Sequence, residues 1–240
     1  MPPLSCGAIV HRASALCVPV LFIDTCSLLD IVRAPVREQV GAHDIAAVHT
    51  LLDRVEAQPS RLTIVLNEQV QREFNEHIDE VEGETERELT KSAGRINGIL
   101  KRMTAFPAAS GIPAAIDLSV QGFPNQGRLV AERIIRASLI VADDDQQKTK
   151  AFDRVNRAAP PAARGKDSMK DCVITETFLR IAGELKAAGF AQKIVFTTSN
   201  KNDYEQSHSG LHPALRLEFS AVAMEYSPTW SAVRYELDRC

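Results

Sequence analysis

Three short apolar runs set the strongest limit on the fold, because none of them alternates with polar residues. They are residues 18–23 (VPVLFI), 62–66 (LTIVL) and 193–198 (KIVFTT), and long stretches of chain separate them. A run without alternation suits a strand that is buried on both faces, as in the parallel sheets of α/β proteins. The sequence therefore predicts an α/β fold, a three-layer α/β/α sandwich with a central, mostly parallel sheet.

Helical spacing of apolar residues marks further segments of the chain. Three stretches show this spacing, and they are residues 70–81, 129–141 and 174–185. We expect the last of these helices to end near Gly189. Residues 217–224 could form a late fourth strand. Two segments rich in loop-forming residues indicate irregular connections, and they are residues 107–127 and 148–170.

Composition limits the compartment and the kind of partner. The 240 residues are 45% hydrophobic, with a net charge of −3, so an anionic partner needs a local basic patch or metal ions. Five cysteines without a C-x-x-C pair disfavour a disulfide framework or a zinc site and favour the cytoplasm. The N-terminus lacks a basic region before its apolar residues, which disfavours a targeting role. No other stretch is long and apolar enough to predict a membrane segment.

Acidic residues follow or precede the predicted strands at four separate places. Asp24 ends the first strand, Glu73 lies in the helix after the second, and Asp203 follows the third. Asp171 and Asp167 begin the helix that leads into the third strand. The carboxyl ends of parallel strands meet at one edge of a sheet, so the fold can bring these acids together. Clustered carboxylates need cations, and oxygen ligands favour Mg²⁺ or Mn²⁺.

Each acid also has a purely structural interpretation. Asp24 could cap the following helix, Glu73 could lie on a helix surface, and Ser168-x-x-Asp171 matches a helix capping box. Asn200 could cap a helix that has Asp203 in its first turn. The chemical interpretation depends on the ordered set rather than on any one residue.

That ordered set resembles the PIN domain, a family of metal-dependent ribonucleases that includes many bacterial toxins. The matching segments are FIDTCSLLD, VLNEQVQREF, GKDSMKDCVITETFL and VFTTSNKNDY, and the last two look especially like a longer bacterial branch of PIN-like proteins. The resemblance implies a metal-dependent endoribonuclease whose catalytic, metal-binding acids are Asp24, Glu73, Asp171 and Asp203. Asp167 competes with Asp171 for the third position, and Asn200 stands where many members have the fourth acid.

The resemblance also implies a domain division and a set of partners. Residues 1–17 would be an N-terminal extension, and residues 18–240 a single PIN-like nuclease domain with a helical and loop insertion around 76–166. RNA, including single-stranded RNA, would be the substrate, in a toxin, defence or RNA-processing role. An antitoxin or regulatory protein and a second copy of the chain are further partners that the family allows.

Polar and basic residues near the acids are candidates for positioning a substrate. Four of them are hydroxyl or amide side chains, namely Thr25, Ser27, Thr198 and Asn200, for which turn chemistry is the structural alternative. Residues 148–170 contain seven basic and two acidic residues, a local charge of +5. Arg164, Lys166 and Lys170 lie nearest the third acid and could contact phosphates, although the segment could equally be a solvated loop.

Other functional classes fit the sequence less well. A phosphatase with Asp24 as nucleophile would need a second Asp at position 26, where this chain has Cys26. Neither a P-loop nor a G-x-G-x-x-G turn follows a strand, which disfavours a nucleotide-binding module. The main alternative is a catalytically inactive PIN-like protein that binds RNA or serves as an interaction scaffold.

Overall fold

A computed structural model describes residues 2–106, 113, 115–162, 168–206 and 210–239. Its main sheet has five strands, all parallel, in the order β3-β2-β1-β4-β7. The strands are β1 (Val20–Ile23), β2 (Thr63–Asn67), β3 (Leu139–Val141), β4 (Ile194–Thr197) and β7 (Met224–Ser227), and β5 (Glu205–Gln206) pairs with β6 (Gly210–Leu211) in a small antiparallel hairpin. The predicted strands in residues 18–23, 62–66 and 193–198 are therefore confirmed.

Helices cover both faces of the sheet. They are α1 (Cys6–Leu16), α2 (Thr25–Arg33), α3 (Ala42–Glu56), α4 (Glu68–Met103), α5 (Phe123–Ala137), α6 (Asp145–Asn156), α7 (Met169–Ala187), α8 (Lys201–Tyr204), α9 (Pro213–Ala221) and α10 (Trp230–Asp238). One layer contains α1, α7 and α9, and the other contains α3, α5 and α10. This arrangement confirms the three-layer α/β/α sandwich.

The central strands are buried because helices cover both of their faces. All four residues of β1 are buried, as are all four of β4. Phe22 of β1 stacks on Phe178 of α7 with ring centroids 4.6 Å apart, and Phe196 of β4 lies 5.7 Å from Phe178. A strand that faces aromatic side chains on one side and helices on the other has no solvated face, which explains the unbroken apolar runs.

The first residues of the chain belong to the same core. Leu4 bridges Val141 in parallel, and Ile9 and Ala13 of α1 are fully buried in contact with the α7 layer. Ser5 caps α1 by accepting a hydrogen bond from the Ala8 amide. The division into an extension, a domain and an insertion stays a prediction.

Four predicted segments differ from the structure. Residues 139–141, predicted as the end of a helix, form β3, and residues 123–127, predicted as part of an irregular connection, begin α5. Residues 217–224 lie mostly in α9 and only reach the start of β7, so the predicted late strand begins too early. Leu215 and Phe219 are buried at a spacing of four, which is a helical pattern. Residues 148–156 belong to α6 rather than to an irregular connection. None of the helices in the part of the chain that the structure describes is long and apolar enough to cross a membrane.

Candidate active site

Asp24 lies at the carboxyl end of the central strand, between β1 and α2. Asp24 is only 1% exposed. Its Oδ2 atom accepts a 2.7 Å hydrogen bond from the hydroxyl of Thr198, which directly follows β4. Asp24 occupies the N-cap position of α2, but its side chain makes no capping hydrogen bond. The Asp24 side chain therefore does not form the helix cap that the structural interpretation predicted.

Burial raises the pKa of the Asp24 carboxyl from 3.8 to about 6. The hydrogen bond from Thr198 lowers this pKa, whereas the carboxylate of Glu73 raises it further. A buried carboxylate that another carboxylate repels is costly in its charged form until a cation or a proton neutralises it.

Several donors hold Glu73 beside Asp24. The Thr25 hydroxyl donates a 2.6 Å hydrogen bond to Oε2 of Glu73, and the Gln69 side chain donates a 3.0 Å bond to Oε1. The Glu73 side chain is 13% exposed, so it does not lie on an open helix surface. Lys170 brings a cation to the same place, with its Nζ atom 3.9 Å from Oε1 of Glu73.

Asp171 is the third residue of α7 and is half-buried. The buried Tyr204 donates its hydroxyl to the backbone carbonyl of Asp171 at 3.4 Å and also hydrogen-bonds to Thr175, which ties α8 to the start of α7. Ser168 occupies the N-cap position of α7 without a side-chain capping bond, so the capping box that the sequence allows is not formed.

The thiol of Cys26 marks the point at which the acids converge. Burial raises the pKa of Cys26, and four carboxylates raise it further, in the order Asp24, Asp171, Asp30 and Glu73. Direct contacts also link the acids, because Thr25, next to Asp24, donates to Glu73, and the Nζ atom of Lys170, next to Asp171, lies 3.9 Å from Oε1 of Glu73. The fold therefore brings Asp24, Glu73 and Asp171 to one edge of the sheet, from three separate parts of the chain.

Asp203 is linked to Asp24 by hydrogen bonds through Asn200 and Thr198. Its Oδ2 atom accepts a 2.7 Å hydrogen bond from the Asn200 side chain, and the Asn200 backbone amide donates a 3.0 Å bond to Thr198. Thr198 in turn donates to Asp24. Asn200 makes no side-chain capping bond to α8. In the residues that the structure describes, no group of three or more His, Cys, Asp or Glu side chains has the geometry to hold one metal ion.

Other predicted positioning residues fall in several environments. Ser27 is 3% exposed, and its backbone carbonyl accepts a hydrogen bond from the Trp230 indole at 3.2 Å. Lys170 is 54% exposed and faces Glu73 and Glu76. Three predicted residues lie outside the described part of the chain, namely Arg164, Lys166 and Asp167.

One of the seven basic residues in segment 148–170 has a structural role. Arg154 is 8% exposed, and its guanidinium donates to Glu176, to Glu218 and to the carbonyl of Pro160. Its guanidinium is therefore engaged inside the protein, and the phosphate-binding role of segment 148–170 stays a prediction.

The sequence reasoning missed Asp30. Its side chain is 6% exposed and forms an ion pair with Arg37, and Asp30 lies four residues after Cys26 on the same face of α2. Burial raises the pKa of Asp30, and hydrogen bonding and the two arginines Arg37 and Arg33 oppose that rise. The four-residue spacing within TCSLLD was the signal that could have identified it.

The buried Asp24 carboxyl predicts a pH-dependent stability in the metal-free protein. Since the pKa is about 6 in the folded protein against 3.8 ordinarily, the folded state binds more protons between these values. The contribution of Asp24 to the free energy of unfolding is therefore greatest below pH 3.8. It falls by on the order of 3 kcal/mol as the pH rises through about 6.

The check is chemical denaturation in EDTA across that pH range, with Asp24→Asn as the comparison. Other carboxyls titrate in both proteins, so the difference between the two free energies of unfolding isolates Asp24. We expect that difference to grow with pH in favour of the variant. A difference that does not change with pH would contradict the assignment of the raised pKa to Asp24.

Comparison with known proteins agrees with this arrangement. A family model described as PIN domain matches residues 21–204, which include the four predicted acids and all strands from β1 to β4. No curated protein and no solved structure gives a significant match.

Proposed function

Because the chain belongs to the PIN-domain family, we propose that it is a metal-dependent endoribonuclease that hydrolyses RNA phosphodiester bonds. The family supplies the nuclease-type fold, and the activity of this chain is the step that we add. The observation that carries the proposal is the burial of Asp24 at the sheet edge, with Glu73 and Asp171 close enough to act on the same thiol. Such a group of acids is stable at neutral pH only with cations beside it.

The donor set suits a hard divalent cation. Asp24, Glu73, Asp171 and Asp203 offer only oxygen ligands, which favours Mg²⁺ or Mn²⁺ over softer metals. When bound there, such an ion would lower the pKa of a water molecule and stabilise charge on the phosphate and the leaving oxygen. We assign no direct ligand role to Cys26, since its pKa is raised and the thiol stays protonated at neutral pH.

Neighbouring hydroxyls would hold these acids in place. Thr25 and Thr198 each donate a hydrogen bond to a carboxylate, so we propose that they position Glu73 and Asp24 rather than contact the substrate. Removal of a hydrogen bond that orients a metal ligand commonly lowers metal affinity by about 10- to 100-fold. Lys170 lies beside Glu73 and is mostly exposed. Among the residues that the structure describes next to Glu73, it is the cation that we propose contacts a substrate phosphate.

RNA is the substrate that we propose, with single strands favoured over duplexes. Aromatic residues are 5% of the chain, so recognition would depend on the backbone and on local pockets more than on extended stacking. We place the protein in the cytoplasm, where its free thiols at Cys6, Cys17, Cys26 and Cys172 would remain reduced. A toxin role with an antitoxin partner, and a homodimer, are further proposals that rest on the family alone.

An inactive RNA-binding scaffold is the second candidate. The observation that favours it is the Asn200–Asp203 hydrogen bond, which engages the fourth acid with an amide instead of leaving both oxygens for a cation. Binding of a divalent cation separates the two candidates, because the scaffold does not need it.

The test is the thermal stability of the purified protein as Mn²⁺ is added. At a concentration 100 times the dissociation constant, a single bound ion stabilises the folded state by about 2.7 kcal/mol. We expect a saturable rise in Tm for the wild type and for Asp145→Asn, whose carboxylate is fully exposed on α6. Asp24→Asn should show little or no rise. Equal shifts in all three proteins, or no shift in the wild type, would contradict the proposed site.

A further inference from the structure

A cavity of about 350 Å³ opens beside the acids, with Cys26 in its wall. Its lining comes from α2, the turn after it and the start of α3, from the turn after β4 with the start of α8, and from the start of α10 with the two residues before it. Cys26 lies two residues after Asp24, and Thr25 between them donates a 2.6 Å hydrogen bond to Glu73. The cavity is thus a neighbour of the candidate active site, and its volume lies within the usual range of small-ligand sites.

The charges of the cavity favour an anion. Three cations line it, namely Arg33, Arg37 and Lys201, against the two carboxylates of Asp30 and Asp44. Both carboxylates are already engaged by donors, because Arg37 binds Asp30 while the backbone amides of Gly41 and Ser231 donate to Asp44. Three positive and two negative charges give the wall a net charge of +1, with Arg33 4.0 Å from Asp30 and Lys201 at the start of α8.

The rest of the lining can recognise a base. Gln39 and Asn202 contribute amide-bearing residues to the wall, whereas the Asn200 amide already donates to Asp203. An amide both donates and accepts hydrogen bonds, as the edge of a nucleobase requires. Trp230 closes one side of the cavity, and its orientation is fixed because its indole N–H donates to the Ser27 carbonyl. Cations, amides and an aromatic wall together match a phosphate with its attached nucleoside.

We propose that this cavity is a nucleotide subsite, which takes one nucleotide of the RNA strand next to the bond that is cut. Arg33 and Lys201 bind the phosphate, and the amide side chains contact the base. The proposal rests on the proposed nuclease function and deepens it, because it assigns contacts with one base to this cavity. The same chemistry would accept a free nucleoside monophosphate, so the test separates that source from RNA.

Trp230 makes the subsite measurable, because it is the single tryptophan of the chain. Each of the four nucleoside 5′-monophosphates is titrated in EDTA, with tryptophan fluorescence and calorimetry as readouts. Inorganic phosphate and a short single-stranded RNA serve as separate probes. We expect saturable quenching by at least one nucleotide, tighter binding of the RNA, and weaker binding of phosphate alone.

Two variants test the cations. Lys201→Gln and Arg33→Gln should each weaken binding of the nucleotide by about tenfold, which corresponds to ~1.4 kcal/mol. Arg136→Gln is the matched control, since Arg136 is 63% exposed on α5 and does not line the cavity. Arg33 also lies 4.0 Å from Asp30, so Lys201→Gln is the variant that leaves the Asp30 ion pairs unchanged, and Arg37, which binds Asp30 directly, is kept in both variants.

Asn202→Ala tests the base contact and should reduce the preference among the four nucleotides while leaving phosphate binding unchanged. Absence of nucleotide binding at millimolar concentration, or binding that Lys201→Gln and Arg33→Gln leave unchanged, would overturn the proposal. RNA cleavage with no nucleotide binding would reject the subsite alone. Nucleotide binding without metal-dependent cleavage would reject the nuclease and leave a nucleotide-binding cavity.

Discussion

Replacing Asp24 by Asn is expected to remove most RNA cleavage and at the same time to stabilise the metal-free protein. Loss of groups that merely orient a metal ligand costs about 10- to 100-fold in activity, so loss of the central ligand should cost at least about 100-fold. The stabilisation arises because the variant lacks a carboxylate that is 1% exposed and whose pKa is raised to about 6. At neutral pH that gain is on the order of 3 kcal/mol.

Opposite effects on activity and stability distinguish a functional carboxylate from a structural one. The measurements are initial rates of cleavage with Mn²⁺ and denaturant unfolding in EDTA, both for the wild type and for Asp24→Asn. Asp145→Asn should change neither quantity, because its side chain is fully exposed. An Asp24→Asn protein that is less stable than the wild type in EDTA would assign Asp24 a structural role.

Arg154→Met is expected to be the most destabilising of the charge substitutions that the structure suggests. Arg154 is 8% exposed and binds Glu176, which is 13% exposed, and the more exposed Glu218, so its removal takes the cation from a mostly buried ion pair with Glu176. Breaking a buried pair by removing one partner costs about 3–5 kcal/mol. Lys150→Met on the same helix is the control, since Lys150 is exposed and should change stability by no more than about 0.5 kcal/mol.

Urea unfolding of the two variants measures this difference. Cleavage should be retained by Arg154→Met at temperatures at which the variant remains folded, because Arg154 takes no part in the candidate site. An unchanged free energy of unfolding, together with weaker binding of RNA, would instead return Arg154 to the phosphate-binding role that the sequence suggested.

The same residue explains why α6 was not predicted. Its buried face is formed by Gln147, Ala151 and Arg154, which have helical spacing but little hydrophobicity. A search for apolar periodicity cannot find a helix whose buried contacts are hydrogen bonds and ion pairs. β3 was missed for a different reason, since its three residues continue the apolar pattern of α5 with only Ser138 between them.

The unbroken apolar runs of β1, β2 and β4 were predictable because the middle of a parallel sheet excludes polar side chains. The convergence of Asp24, Glu73 and Asp171 followed from the rule that parallel strands end at one edge. The hydrogen bonds from Thr25 and Thr198 could not be predicted, because they depend on side-chain orientations that spacing does not determine. The cavity beside Cys26 could not be predicted from the sequence either, because its walls come from segments about 170 residues apart.

Cleavage of end-labelled single-stranded RNA with Mn²⁺ tests the central claim most directly. We predict internal cleavage by the wild type, complete inhibition by EDTA, and loss of cleavage in both Asp24→Asn and Asp171→Asn. The control Asp145→Asn should cleave as the wild type does. Cleavage that persists in EDTA or in Asp24→Asn, or no cleavage of varied RNAs by a wild type whose Tm does not respond to Mn²⁺, would contradict the nuclease assignment.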